Sequence, residues 1–547
     1  MMKIEDMFRD RFSIIAAGPG GVDRLRELIL ELAVHLVAKS DSPSTKYVPL
    51  CECGEWLGGL TPSKQRADYW DDESIPWFSP KDMKQIELED AQDHITSRAL
   101  EETSLKLLPS GSVLFVVRGM ILAHTFPVAV TTRPATINQD MRAIIPKAEI
   151  SDRYLVTVLR GYERKILELV KTSTHGTKKL NSPELKQWII PVPPLDEQHR
   201  IVKKVDHLMA LCDDLERWQR AEREGRRRLR MASLAALEEA ATAEESEQAW
   251  AHVAGEFGRL VDSLEDVVEL RKSIFQLAIK GRLGTRSETD EPANILLRHL
   301  IEQNPARKER QECAKKEDFS SLPKLPYGWV WTYVHCVGAV RLGRQRAPEH
   351  HYGPFMRPYL RVANVYEDRI DTSDVLELNF TPGEYETYRL EYGDVLLNEG
   401  QSRELVGRPA IYRDEVPGAC FQNTLVRFRP FNPILSGYAL TVFRAYLHSG
   451  RFQKKSQQTV NIAHLSAGRF AAMKFPLPPL AEQQRIVDKV HGMMTFCDTL
   501  EAGIRARDAA LEAFAEAACR AVLDGPALAT SPAAEAVTRK GQQRLPI

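Results

Sequence analysis

Two stretches of this chain carry apolar residues at alternating spacings of four and three. The first runs Ile201, Val205, Leu208, Cys212, Leu215; the second runs Ile486, Val490, Met493, Cys497, Leu500 and continues to Ile504, Leu511 and Phe514. That alternation is the seam of a coiled coil, a helix whose apolar stripe needs a long helical partner. Each seam is entered through a proline cluster followed by a glutamate, Glu197 or Glu482. Proline fits a helix's first turn, where no N–H is needed, and the carboxylate sits where the helix dipole favours an anion.

The two seams belong to a repeat. Pro191-Val-Pro-Pro-Leu-Asp-Glu-Gln-His-Arg-Ile-Val recurs 285 residues later as Pro476-Leu-Pro-Pro-Leu-Ala-Glu-Gln-Gln-Arg-Ile-Val, and the match continues through Cys212/Cys497, Asp213/Asp498 and Glu216/Glu501. A second repeat links Leu25-Arg-Glu-Leu-Ile-Leu-Glu-Leu-Ala33 to Leu270-Arg-Lys-Ser-Ile-Phe-Gln-Leu-Ala278, at an offset of 245. Two copies of one module are expected. The central scaffold then spans 191–282, followed by a polar linker over 283–325 with one short helix at Ala293–Glu302. The distal scaffold is split between an N-terminal helix within 1–46 and a helix over 476–523, leaving 524–547 as a tail, so the chain ends should meet. The seam Ile201–Leu215 is expected to pair antiparallel with 270–278, and Ile486–Phe514 with 25–33. At a rise of about 1.5 Å per residue, ~25–40 paired residues span roughly 40–60 Å.

Between the scaffolds lie two dissimilar segments, 47–190 and 326–475. Short β-branched and aromatic runs punctuated by Gly and Pro, such as Ser112-Val-Leu-Phe-Val-Val and Asp394-Val-Leu-Leu, alternate with helical stretches at 150–170 and 436–449. Both read as α+β domains with strand-rich cores. Net charge is −1, so bulk charge is neutral on nucleic acid, but local charge is not. Residues 103–190 carry 13 Lys/Arg against 6 Asp/Glu, 47–102 carry 5 against 13, and 326–475 carry 18 against 14. Basic residues concentrated in particular segments suit a groove for phosphates. Eight cysteines contain no C-x-x-C pair, and Cys51-Glu-Cys53 lacks nearby histidines, so no metal site is expected. The most apolar run, Ser112–Val130, is broken by Arg118 and Gly119, which argues against a bilayer span and for a cytoplasmic chain.

In its motifs the chain resembles the specificity subunits of type I restriction–modification systems. The features are the twice-used P-x-P-P-L-x-E-Q-x-R-I-V, the helices beginning Leu25-Arg and Leu270-Arg, and the entry Leu325-Pro-Tyr-Gly-Trp-Val-Trp331. Thr61-Pro-Ser63 with Ile75-Pro-Trp77, Pro109-Ser-Gly-Ser-Val-Leu, Gly393-Asp-Val-Leu-Leu, Asn138-Gln139 and Gln422-Asn423 resemble strands of the family's target-recognition domains. The resemblance implies two α+β target-recognition domains separated by long antiparallel coiled-coil helices, each reading half of a split target on double-stranded DNA. It implies no catalytic centre and no cofactor on this chain. Two methyltransferase subunits using S-adenosylmethionine, and through them ATP- and magnesium-dependent restriction/translocase subunits, would be its partners.

Base edges are read by Arg, Lys, Asn, Gln, Ser and Thr, and phosphates by basic and amide groups. In the first segment the candidate cluster is Thr174, His175, Thr177, Lys178, Lys179 and Asn181. In the second it is Arg341, Arg344 and Arg346, then Asn398, Gln401, Ser402 and Arg403, then Asn461 and His464. Ala16-Ala-Gly-Pro-Gly-Gly lacks the P-loop's Lys-Ser/Thr and reads as a turn before a helix. Glu349-His-His-Tyr352 puts adjacent histidines on opposite faces if extended. A methyltransferase's Asn/Asp-Pro-Pro-aromatic loop is absent; Asn304-Pro305 and Asn432-Pro433 do not supply it. The competing reading is a coiled-coil interaction scaffold with two variable protein-binding domains, which would lack the steep salt dependence of a DNA reader.

Overall fold

A computed structural model describes residues 15–38, 44–172, 176–240, 243–283, 285–302, 319, 322–402, 405–455, 457–459 and 462–524. The described residues fall into two compact units, one built from residues up to Arg223 together with those after Ala506, the other from Glu224–Ala506. Two 45-residue helices, Leu195–Glu239 and Leu480–Asp524, contribute residues to both units.

In the first unit a five-stranded sheet is ordered Gly54–Gly58, Met141–Pro146, Val113–Val116, Val128–Thr131, Glu87–Leu88. Val113–Val116 is buried at every position, as a strand covered on both faces should be. A smaller sheet flanks it, with Trp70–Phe78 between Asp93–Ile95 (antiparallel) and Thr136–Ile137 (parallel). The amphipathic helix Asp152–Gly161, capped by the Ser151 hydroxyl, closes the core with Tyr154, Leu155 and Leu159.

The second unit repeats this arrangement. Its four-stranded sheet is ordered Gly338–Leu342, Leu425–Pro430, Val395–Asn398, Pro409–Ile411, and each of these strands begins 281–284 residues after its counterpart in the first unit. The small sheet recurs too, with Met356–Leu360 between Leu376–Asn379 (antiparallel) and Cys420–Phe421 (parallel). Segments without sequence similarity therefore share one fold, because alternating burial can be satisfied by many apolar sets. The short helix Ala293–Glu302 buries Ala293, Leu296 and Leu300 in the second unit's core.

The helical scaffold pairs differently from the expectation. The N-terminal helix Gly21–Ala38 packs Leu25, Leu28, Ile29 and Leu32 with Val205, Leu208, Cys212 and Leu215, and also with Phe514, Ala515 and Ala518. The mid-chain helix Leu264–Ile279 packs Leu270, Ile274 and Leu277 with Ile486, Val490, Met493 and Cys497. The partners of the two seams are thus exchanged. The pairing is antiparallel in both: Ala16 O accepts Gln219 while Arg26 meets Asp213, and Arg271 meets Asp498 while Thr285 meets Glu482. The reason lies in an additional helix, Ala243–Leu260, which reverses the chain once more before Leu264. Arg230 then donates to Leu260 O and Asp266, and Arg282 to Ala240 O, so Leu264–Ile279 runs beside the end of the first long helix instead of folding back onto 201–215. The N-terminal helix and the second long helix do meet, through Arg24 and Glu512 at 2.5 Å.

Candidate nucleic-acid interface

The proline–glutamine motif anchors each α+β domain to its scaffold helix. Gln198 is fully buried; its Nε2 donates to Pro193 O at 2.8 Å and Glu149 O at 3.0 Å, and its Oε1 accepts the Ser151 N–H at 2.8 Å. Gln483, equally buried, donates to Pro478 O and accepts the Leu435 N–H. The Tyr154 hydroxyl donates to Pro191 O at 2.8 Å and the Tyr438 hydroxyl to Pro476 O at 2.7 Å. The repeated residues of this motif therefore hold domain to helix, and surfaces elsewhere are free to differ.

One surface element recurs with different content. In the first unit Val170–Thr172 pairs antiparallel with Lys178–Leu180, and Arg118 bridges to Lys179. In the second, Gln457–Thr459 pairs with Ile462–His464, and Gly400–Gln401 adds a third strand through His464. Both hairpins follow a short helix after the domain's main helix and precede another (Ser182–Lys186 or Ala467–Ala471).

The first hairpin is cationic. Lys171 and Lys179 are exposed, and Lys178 Nζ donates across the strands to Thr172 Oγ1 at 2.9 Å. Thr177 is half-buried; Thr174 and His175 lie outside the described residues. Asn181 is less available than expected: it precedes helix Ser182–Lys186 and its amide donates to Glu184. Beside the hairpin, Arg118 is exposed, and the turn that follows leaves Met120 64% and Ile121 38% exposed. These three residues were not among the sequence candidates. Their signal was the Arg118-Gly119 break in the Ser112–Val130 run, which marks the chain leaving the sheet.

In the second unit two expectations are corrected. Asn398 is fully buried at a strand end, its side-chain N and O without hydrogen-bond partners among the described residues, and not on the exposed surface expected of a reader. Arg344 is 6% exposed; it pairs with Glu384 at 2.9 Å, donates to Asn379 O and lies over the Phe380 ring at 4.8 Å. A buried arginine so engaged is structural. Arg341 and Arg346 are exposed, the latter donating to His351 Nε2 at 3.0 Å. His464 is half-buried beside Glu399 at 3.2 Å. Ser402 uses its carbonyl to accept the N–H groups of Leu405 and Val406. Gln401 is placed in its strand by backbone pairing with Ala463, while Arg403 and Asn461 lie outside the described residues. Glu349 and His350 sit in a 3-10 turn, and among the described residues no His/Cys/Asp/Glu group could hold a metal ion. No helix among the described residues is long and apolar enough to cross a membrane.

Charged groups beneath the surface of the second domain are held by close partners. Arg429 grips Asp394 through two 2.7 Å bonds, and burial pushes the Arg427 guanidinium down to about 10. Glu367 is held by Arg444 at 2.7 Å and His448 at 2.9 Å. Burial alone would raise its carboxyl, but those two partners outweigh it and hold the group down at about 2.

Comparison with known proteins matches residues 45–223 and 351–507 to the type I restriction modification DNA specificity domain. The chain is 39% identical over 166 residues to the specificity subunit of the type I restriction enzyme EcoR124I/EcoR124II of Escherichia coli, covering 30% of this chain and 41% of that one. It is 25% identical over 342 residues to the EcoAI specificity subunit of Escherichia coli, covering 60% and 57%. The matched stretches thus span about half the length of these relatives. Among solved structures, the HsdS subunit from Thermoanaerobacter tengcongensis aligns with 88% of this chain and 97% of its own at 16% identity and a TM-score of 0.40.

Proposed function

The chain belongs to the type I restriction modification DNA specificity family, and from that premise we infer that it is a non-catalytic subunit reading a split, asymmetric DNA sequence, one half through each α+β domain. The observation that carries this reading is the pair of hairpins at equivalent positions on one repeated fold, cationic in one domain and amide-rich in the other. A common frame with divergent contact residues is what two readers of different half-sequences require. Lys171 and Lys179 suit phosphates, Arg118 suits a phosphate or a guanine edge, and exposed Met120 and Ile121 suit thymine methyls or a wedge at a flexible step. In this reading the paired helices set the distance between half-sites. The chain docks two methyltransferase subunits and, through them, restriction/translocase subunits; S-adenosylmethionine, ATP and magnesium belong to those partners.

The test is to map methylated sites in cells carrying this chain with its partner subunits, before and after replacing 47–190 by the matching segment of a relative. One half of the methylated sequence should change and the other stay. Scrambling of both halves would overturn the two-reader account, and binding that ignores salt would favour a protein-interaction scaffold.

A further inference from the structure

The connection from scaffold helix to α+β domain differs sharply between the units. In the first it runs only from Ala38 to Lys46; in the second it runs from Ile279 to Val330 and carries its own helix. Where this longer connection leaves and rejoins the second unit there is a cavity of about 490 Å³, within the range of small-molecule sites, about 300–1,000 Å³.

Its lining is divided by chemistry. Lys280, Arg282, Arg286, Lys324 and Arg451 contribute five cations, and Glu239 is the one carboxylate among the described lining residues. The remaining wall is apolar: Ile279, Leu325, Pro326 and the Trp331 ring, which is fixed by its indole N–H donating to Pro323 O at 3.0 Å. The backbone holds this shape tightly. Gly281 has φ +65°, and a Cβ there would lie 2.6 Å from Pro326 Cγ, so glycine is required both for the left-handed turn and for the close approach. The Gly281 and Arg282 N–H groups close onto Ala278 O and Leu277 O. The helix's negative end is thereby capped by its own chain and not turned bare onto the cavity. Arg282 spends one N–H on Ala240 O, leaving the rest of a five-donor fork.

Five cations against one carboxylate among the described lining residues form a surface complementary to a polyanion, and the adjoining aromatic and proline wall suits a flat ring. We propose that this cavity binds a small phosphate-bearing ligand, a di- or triphosphate carried on an aromatic base, with the phosphates on the cations and the ring against Trp331 and Leu325.

Calorimetric titration of the full chain with ATP, AMP and inorganic triphosphate, each with and without saturating duplex DNA, tests it. ATP should bind once per chain, weaken as salt rises, and bind at least about tenfold more weakly to R286E/K324E. Both positions are exposed, so unchanged thermal unfolding of the variant establishes that its fold is intact. Equal affinity for triphosphate and ATP would keep the phosphate site and overturn the ring contact. No binding at about millimolar ligand, affinity unchanged in the variant, or displacement by duplex DNA would each overturn the site.

Discussion

Gln198 Oε1 accepts the Ser151 N–H at 2.8 Å, so one buried amide ties the start of a 45-residue helix to the cap of the recognition domain's main helix. Replacing Gln198 by Ala leaves that N–H and two carbonyls without their partner. A loss of about 2–4 kcal/mol is expected. It should appear in the unfolding of the first unit, whereas Q483A should act on the second. Urea unfolding followed by hydrogen exchange in each unit checks this; a shift of both units by either variant would contradict it.

The scaffold clamps are matched in the same way. Arg26 meets Asp213 at 2.7 Å and Glu216 at 2.8 Å, and Arg271 meets Asp498 at 2.8 Å and Glu501 at 2.9 Å. These pairs are partly exposed, so each is worth about 1 kcal/mol. R271E should destabilise the second unit by more than that through repulsion, and adding D498R/E501R should restore most of the stability. Failure of the rescue in a double-mutant cycle would mean the exchanged helix pairing is wrong.

Acid should loosen the second domain through Glu367. Its carboxyl is depressed in the fold to about 2 from an unfolded value near 4.5, so its stabilisation is fully present above that unfolded value. It is lost as pH falls from about 4.5 towards 2, by an order of 2–3 kcal/mol. E367Q should flatten that part of the stability–pH curve; an unchanged curve would sink the assignment.

On DNA, removing Lys171 and Lys179 together should weaken binding to all sequences alike and lower the salt slope by about 0.9 for each phosphate no longer neutralised. M120A, by contrast, should cost about 1–3 kcal/mol on the cognate site and relax one base position. Binding measured across a salt series and a library of half-sites separates the two. A sequence-independent weakening from M120A would remove it from base reading.

Four residues inserted into the first long helix between Leu215 and Glu239 should lengthen the spacing between methylated half-sites and leave both half-sequences unchanged. Sequencing of methylated sites reads this directly. An altered half-site at constant spacing would refute the helices' setting of the distance.

The seams, the proline entries and the long repeat were legible in the sequence because they are local: periodicity, backbone restriction and identity at an offset need no knowledge of neighbours. So was the α+β character of both domains. That the two dissimilar domains are copies of one module followed from the repeat; their strand order was not legible, since it is decided by packing and alternating burial, which many residue sets satisfy. Helix pairing was likewise a tertiary decision. The seam at 201–215 could accept either repeat of the Leu-Arg helix, and the extra reversal at Ala243–Leu260 determined which one. The fate of individual polar residues depended on burial alone. Arg344 and Asn398 look like readers by type, but the fold encloses them, while Arg118 and Met120, hidden inside an apolar run, are delivered to the surface. Residue type states which interactions are chemically available; only the folded chain decides which side chains water, or DNA, can reach.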